Sequence, residues 1–124
     1  MILIDSYGWI EYFAEGPLAK RYSSYIESAK KENTVTPTIV VFEVYRKLKR
    51  EKGEQKALEA YVQMSETNII PLDDRISLLA ADASIASRLS TADAIILATA
   101  KEFDAKIITS DIHFQRFPNV ELIR

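Results

Sequence analysis

Apolar residues occur along the chain in two kinds of stretch. In the first kind they form short runs without polar alternation, which is typical of strands that are covered on both faces. These runs predict five strands, at residues 1–4, 34–35, 68–70, 106–109 and 120–123. In the second kind apolar residues recur every three or four positions, as they do along one face of a helix. These stretches predict helices at residues 7–14, 18–31, 38–51, 54–66, 74–89 and 92–103.

The order of these elements indicates the fold class. Strands that are separated by helices favour an α/β domain in which a mostly parallel sheet is covered by helices on both faces, a three-layer α/β/α arrangement. A chain of 124 residues, of which 48% are hydrophobic, is the right size for one such domain, spanning residues 1–124. In open sheets of this kind, ligands bind beyond the carboxyl ends of the strands.

Composition narrows the chemistry that the domain can perform. The chain has no cysteine, which excludes disulfides, thiolate metal sites and cysteine nucleophiles. Its single histidine, His113, leaves little room for a histidine-based zinc site or a Ser-His-Asp triad. Any metal is therefore expected to be held by oxygen. The formal net charge of −2 does not indicate a polyanion partner, so nucleic-acid binding would require a local basic surface.

The distribution of apolar residues also bears on location. No apolar run approaches the roughly 20 residues that span a bilayer, and no basic segment followed by an apolar one opens the chain. We expect a soluble, cytoplasmic protein without a membrane partner.

Four acidic residues are predicted to meet at the carboxyl edge of the sheet. Asp5 directly follows the first strand, and Asp111 follows the 106–109 strand after one serine. Asp93 lies in the first turn of a helix that returns toward that strand, which places it at the same edge. Glu43 lies in the second turn of the helix that leaves the second strand. We therefore expect these four side chains to face a common site.

Carboxylates that meet in this way repel one another, by about 4 kcal/mol for a pair 4 Å apart at an effective dielectric constant near 20. A divalent cation among them would offset the repulsion. Because the ligands are oxygen atoms, Mg²⁺ or Mn²⁺ is the expected ion, and such ions commonly serve phosphoryl chemistry. The reaction inferred from this set is metal-assisted hydrolysis of a phosphodiester.

Each acid also has a structural interpretation that needs no ligand. Asp5 is suited to be the N-cap of the first helix, and Asp93 completes a sequence close to a capping box with Ser90. Glu43 could pair with Lys47 at i,i+4, and Asp111 could cap the short turn that follows it. These interpretations account for each residue singly but not for the presence of all four at one edge.

The same residues lie in segments that resemble a known family. The segments are "ILIDSYGWI" at the start, "TIVVFEVYRKL" around Glu43, "TADAIILATA" around Asp93 and "IITSDIHFQRFPNVELI" around Asp111. Together they resemble the PIN domain ribonucleases, in particular the VapC-like toxins of VapBC toxin–antitoxin pairs. The resemblance covers the whole chain, and the last two segments are the more specific.

The resemblance implies a Mg²⁺- or Mn²⁺-dependent endoribonuclease whose acidic set is Asp5, Glu43, Asp93 and Asp111. By the same resemblance, Ser6 and Thr109 correspond to polar positions beside the metal. It further implies a five-stranded sheet in the order 3-2-1-4-5, a homodimer, an RNA substrate and a VapB-type antitoxin that inserts across the groove of the active site. Within this mechanism we expect Glu43 to position the attacking water or to help hold a second ion.

Two further features lie close to the predicted acids along the chain. Arg46 and Lys47 lie one helical turn beyond Glu43 and could meet an RNA backbone, although cations near a helix C-terminus are also favoured by the helix dipole. His113 is left out of the predicted site, because such a histidine is more often structural.

Other functions compete with this interpretation. A receiver domain requires a lysine after its last strands, and a haloacid-dehalogenase-type phosphatase requires Asp-x-Asp after its first strand, where this chain has Asp5-Ser6-Tyr7. This chain has no lysine after "IIT" or "VELI" and has only one acid in Asp5-Ser6-Tyr7, so it lacks a group that each of these two functions requires. A non-catalytic PIN-like module that binds RNA or protein stays open as the alternative.

Overall fold

The short apolar runs form five parallel strands that are connected by helices, and the computed structural model describes all of residues 1–124. The strands are β1 (Ile2–Ile4), β2 (Val35–Pro37), β3 (Asn68–Ile70), β4 (Lys106–Thr109) and β5 (Val120–Leu122). The α-helices are α1 (Ser6–Phe13), α2 (Ala19–Glu27), α3 (Thr38–Lys52), α4 (Glu54–Ser65), α5 (Asp74–Ser87) and α6 (Thr91–Glu102). A 3₁₀ helix, Ile112–Phe114, follows β4. The α/β class and the parallel pairing are as predicted.

The strands are arranged in two groups rather than in one continuous sheet. One group has the order β1-β4-β5, and the other pairs β2 with β3. A single bridge between Ile2 and Thr34 joins the groups, next to a hydrogen bond of 2.8 Å from the Ile2 N–H to the Asn33 carbonyl. Because β1 is only three residues long and Pro37 has no N–H, few backbone groups are available to extend a ladder between β1 and β2. The expected single sheet in the order 3-2-1-4-5 is therefore observed only as these two paired groups.

The absence of alternation in the strands is explained by burial on both faces. Leu3 and Ile4 of β1 are fully buried although they point to opposite faces, and Ile107 and Ile108 of β4 are buried in the same way. Helix α6 is buried along seven consecutive residues, 94–100, because it packs within the domain. The strand ends that carry the candidate acids are therefore held by a continuous apolar core.

Helix α2 ends earlier than its apolar spacing predicts, at Glu27 instead of residue 31. The cause is the side chain of Asn33, which accepts a hydrogen bond from the Lys30 N–H at 2.9 Å and donates one to the Ser28 carbonyl at 3.0 Å. Asparagine side chains that bond to the nearby backbone in this way compete with helical hydrogen bonds. The chain consequently turns after α2 and enters β2.

Helix α1 lies unusually close to its neighbours at Gly8. A Cβ atom added there would lie 2.6 Å from Cε1 of Tyr22 and 2.7 Å from Cγ2 of Ile4. The absence of a side chain thus permits α1 to pack against β1 and α2. No helix of the protein combines the length with the apolar composition that crossing a membrane requires.

Candidate active site

Asp5 lies at the carboxyl end of β1, where its backbone N–H still bonds to the Ile108 carbonyl of β4 at 3.2 Å. Its side chain is almost fully buried, with only 2% of the residue exposed. One carboxylate oxygen, Oδ1, accepts from the Gly8 N–H at 3.3 Å and so caps α1. The other, Oδ2, accepts from the Thr109 hydroxyl at 2.5 Å. Two donors therefore fix the orientation of this carboxyl group.

Burial raises the pKa of the Asp5 carboxyl to about 7, and the charges of Asp111 and Asp93 raise it further in the same direction. The hydrogen bonds from Thr109 and Gly8 oppose this change because they favour the ionised form. A carboxyl with such a pKa is ready to lose its proton when a cation arrives nearby.

Thr109 connects two of the predicted acids. Its hydroxyl donates to Asp5 and accepts from the Asp111 N–H at 2.9 Å. Asp111 in turn caps the 3₁₀ helix, since its Oδ1 accepts from the His113 N–H at 2.9 Å. The Nδ1 atom of the His113 ring lies 2.8 Å from the same oxygen. A continuous chain of hydrogen bonds therefore runs from Asp5 to His113.

Asp93 lies in the first turn of α6 and is partly buried, and its N–H donates to the Ser90 hydroxyl at 3.3 Å. Burial, followed by the charge of Asp111, raises the pKa of Asp93. One ligand atom from each of Asp93, Asp111 and His113 lies within 4.8 Å of the others. The structure thus brings these three side chains together as a group that could hold a metal ion.

Glu43 reaches the site from α3 and bonds to Ser6 at the start of α1. The Ser6 hydroxyl donates to Oε1 of Glu43 at 2.6 Å. The pairing of Glu43 with Lys47 that the sequence allowed is not formed, because Lys47 pairs with Glu51 at 3.3 Å. Because Ser6 directly follows Asp5 in the chain, its hydrogen bond holds the Glu43 carboxylate near the carboxyl end of β1.

Tyr7 shows that all four acids share one electrostatic environment. After burial, the charges of Asp111, Asp5, Asp93 and Glu43 each raise the pKa of the Tyr7 hydroxyl. These charges disfavour the phenolate because it would carry a further negative charge. The carboxyl edge of the sheet is thus a concentrated negative region that includes every predicted acid.

The model of the PIN domain family matches residues 2–120. The chain belongs to the PIN domain family. Among proteins with curated descriptions, none matches this sequence.

Solved structures share the fold of this PIN domain over nearly its whole length. A toxin–antitoxin complex from Klebsiella pneumoniae has a chain of 25% identity and a TM-score of 0.83, with 100% of this chain and 98% of that chain covered. VapC20 of Mycobacterium tuberculosis, described as a toxin that cleaves the sarcin–ricin loop, is 16% identical, with a TM-score of 0.77 and 93% of each chain covered. VapBC2 of Rickettsia felis, bound to a DNA fragment of its promoter, is 16% identical, with a TM-score of 0.73 and 98% and 97% coverage.

The ligand set of this PIN domain suits a hard divalent cation. Asp93 and Asp111 offer carboxylate oxygens, and each lies close enough to the other to share an ion. Burial, followed by the charge of Asp111, raises the pKa of Asp93, so a cation at this place would favour its ionised form. Mg²⁺ and Mn²⁺ prefer such oxygen ligands, and Mn²⁺ also accepts an imidazole nitrogen. The residues present therefore fit the metal that the sequence led us to expect.

Two residues near the acids were not assigned to the site from the sequence. His113 was left out, yet its ring contacts Asp111, and the signal was its position two residues after that acid in a capping turn. Tyr7, which follows Ser6 in α1, is 55% exposed and lies close enough to the acids for their charges to raise the pKa of its hydroxyl. The predicted RNA contacts Arg46 and Lys47 are exposed on α3, and their role stays a prediction.

Proposed function

We propose that this PIN domain is a Mg²⁺- or Mn²⁺-dependent endoribonuclease, the toxin of a type II toxin–antitoxin pair. The observation that carries this proposal is the close grouping of Asp93, Asp111 and His113, to which Thr109 joins Asp5 by its hydrogen bonds to Asp5 and Asp111. An RNA phosphodiester is the substrate class that such a metal-binding acidic edge would hydrolyse.

In the proposed mechanism, Asp5, Asp93 and Asp111 would hold a divalent cation, and Glu43 would position the attacking water. Such a cation, when bound, would lower the pKa of a water molecule and stabilise charge on the leaving oxygen. Asp5 and Asp111 are kept in position by Thr109, whose hydroxyl bonds to both residues. Ser6 holds Oε1 of Glu43, which leaves Oε2 free to orient the attacking water and accept its proton.

Surface composition supports the proposed protein partners. Apolar side chains are exposed on α3 and α4 at Phe42, Leu58 and Val62, and on α5 at Leu78 and Ile85. Large apolar side chains that are exposed on neighbouring helices are candidates for interface residues. We propose that these surfaces serve a VapB-type antitoxin and a second copy of the chain in a homodimer, the partners expected from the family. Two of the similar solved structures, from Klebsiella pneumoniae and Rickettsia felis, are toxin–antitoxin complexes, which supports this proposal.

The test is RNA cleavage by purified Asp5→Asn and Asp93→Asn variants in the presence of Mn²⁺. Each substitution removes a charged ligand, so we expect the cleavage rate to fall on the order of 100-fold or more. Asp82→Asn, on the exposed face of α5, is the matched control and should cleave at the rate of the original protein. Circular dichroism checks that each variant is folded.

Full cleavage by both site variants would refute the assigned roles. If the original protein binds RNA but does not cleave it with any divalent cation, the chain is instead a binding module.

A further inference from the structure

A cleft of about 620 Å³ opens beside the acidic residues, between the start of α6 and the 3₁₀ helix. It is lined by Arg88, Leu89, Ser90, Asp93, Ile112, His113, Gln115 and Arg116. Because Asp93 and His113 belong to both, the cleft is continuous with the candidate metal site. Its volume is in the range of roughly 300–1,000 Å³ that is usual for small-ligand sites.

The two arginines of the cleft are free of carboxylate partners. Neither Arg88 nor Arg116 forms an ion pair, although Asp93 lines the same cleft. Both side chains are exposed. Their charges are therefore available to an anion from outside the protein.

Arg116 is also held in a defined orientation. Its Nη2 donates to the carbonyl of Ser87 at the end of α5, and its guanidinium lies 5.0 Å from the centre of the Phe117 ring. A guanidinium has five N–H donors, and only one is used here. The remaining donors match the oxygens of a phosphate, which arginine recognises with a planar pair of N–H groups.

The cleft further offers apolar surface beside the charges. Ile112, which is 69% exposed, and the buried Leu89 both line it. A ligand that combines phosphate with a flat apolar base fits this composition better than a free phosphate does.

Three of the five basic residues of α3 are paired with carboxylates and so are less available to an anion. Lys47 pairs with Glu51 at 3.3 Å, Lys49 with Glu54 at 3.6 Å, and Arg50 with Glu51 at 3.4 Å. Only Arg46 of the predicted pair has no ionic partner. With a net charge of −2, the protein needs a local basic surface for RNA, and the cleft supplies one beside the acids.

We propose that this cleft binds a nucleotide of the RNA strand next to the scissile bond, with Arg88 and Arg116 holding its phosphates. This inference rests on the proposed ribonuclease function, and it assigns the main RNA contact to the α5–α6 junction rather than to α3. When a divalent cation occupies the acids, the repulsion between Asp93 and the incoming phosphates is offset.

The test is binding of a fluorescein-labelled single-stranded RNA, measured by anisotropy with Mn²⁺ at several salt concentrations. The full chain carries Asp5→Asn throughout, so that the RNA stays intact. Into this background we introduce Arg88→Gln, Arg116→Gln, both together, or Arg46→Gln. Arg75→Gln is the matched control, because Arg75 pairs with Glu102 at 2.9 Å outside the cleft.

We expect each cleft substitution to weaken binding by roughly 5- to 10-fold at 0.1 M salt and to reduce the slope of log K against log salt by about 0.7. Arg75→Gln should leave both quantities unchanged, and Arg46→Gln should have a smaller effect on both than either cleft substitution. Arg116→Gln also removes the bond to Ser87, so its melting temperature is measured. If the Arg116→Gln variant unfolds, the proposal is tested with Arg88→Gln alone. Arg88→Lys, which keeps the positive charge, should then restore most of the salt slope.

Unchanged affinity and slope in the Arg88 and Arg116 variants would overturn the proposal, as would a loss confined to Arg46→Gln. A loss of affinity for an acidic antitoxin peptide with RNA binding intact would assign the cleft to a protein partner and overturn the proposal as well.

Cleavage of RNA by the unsubstituted chain distinguishes the cleft proposal from the proposed ribonuclease function. If that chain cleaves RNA while the cleft variants bind normally, only the cleft proposal fails; if it neither binds nor cleaves RNA, both fail.

Discussion

At the scale of single residues, two of the candidate acids have a structural role that is compatible with the proposed chemical one. Asp5 caps α1 and Asp111 caps the 3₁₀ helix, as their ordinary interpretations require. Asp93 uses its backbone N–H, not its carboxylate, in the cap that Ser90 provides. A carboxylate has about four lone-pair sites, so one capping bond leaves room for a metal ion. Capping and metal binding are therefore compatible at these positions.

The pKa of Asp5 leads to a pH dependence of stability in the metal-free protein. Its ordinary value is 3.8, and in the folded protein it is about 7, so between these values the folded state binds more protons than the unfolded state. The free energy of unfolding therefore falls as the pH rises from about 4 through 7, by on the order of a few kcal/mol. We expect the urea midpoint in EDTA to be lower at pH 8 than at pH 5.5.

Asp5→Asn should remove most of this pH dependence and leave the smaller part that comes from the raised pKa of Asp93. Asp82→Asn, which is exposed, should behave like the original protein. A midpoint that depends on pH as strongly in Asp5→Asn as in the original protein would show that Asp5 titrates normally.

At the scale of helices and strands, the sequence predicts the elements to within a few residues. This is because strands such as β4 are apolar without alternation and helices such as α3 have regular spacing. The end of α2 is not predictable from that spacing, since it depends on the hydrogen bonds of the Asn33 side chain with the backbone. The lack of a hydrogen-bonded ladder between β1 and β2 is likewise not predictable from the sequence, because it depends on how the two strands lie relative to each other in the folded protein.

Gly8 provides a test of how closely α1 must approach its neighbours. Gly8→Ala introduces a Cβ that clashes with Tyr22 and Ile4, so we expect the free energy of unfolding to fall by roughly 1–3 kcal/mol. The effect is opposite to the preference of helices for alanine over glycine, which is worth about 1 kcal/mol. Urea denaturation measures it, with Asp82→Ala on α5 as the control. A Gly8→Ala protein as stable as the original would show that α1 can shift without cost.

At the scale of the whole molecule, the meeting of the acids follows from the parallel topology. Asp5 and Asp111 follow paired strands, and Asp93 begins the helix that leads into β4. This much could be predicted, because carboxyl ends of parallel strands share one edge. The bonds of Thr109 and Ser6, the contact of His113 with Asp111, and the cleft beside Asp93 depend on side-chain positions, which spacing along the chain does not determine.

Binding of a cation should stabilise the molecule as a whole. At a concentration 100 times its dissociation constant, Mn²⁺ would add about 2.7 kcal/mol to the free energy of unfolding. We expect the melting temperature to rise with Mn²⁺ in the original protein and in Asp82→Asn, but not in a variant with both Asp93→Asn and Asp111→Asn. An equal rise in the double variant would mean that the ion binds elsewhere.

The boundary between the two groups of strands, which the Ile2–Thr34 bridge crosses, separates the candidate acids unequally. Asp5, Asp93 and Asp111 are carried by segments that adjoin β1 and β4, whereas Glu43 arrives on the helix that leaves β2. The connections between the two groups include helix packing, the Ile2–Thr34 bridge with the neighbouring hydrogen bond from Ile2 to Asn33, and the Ser6 hydroxyl, which bonds to Glu43. If the two groups of strands moved apart, Glu43 would leave the site while Asp5, Asp93 and Asp111 stayed together. Under the proposed mechanism, turnover would then be lost while cation affinity was retained.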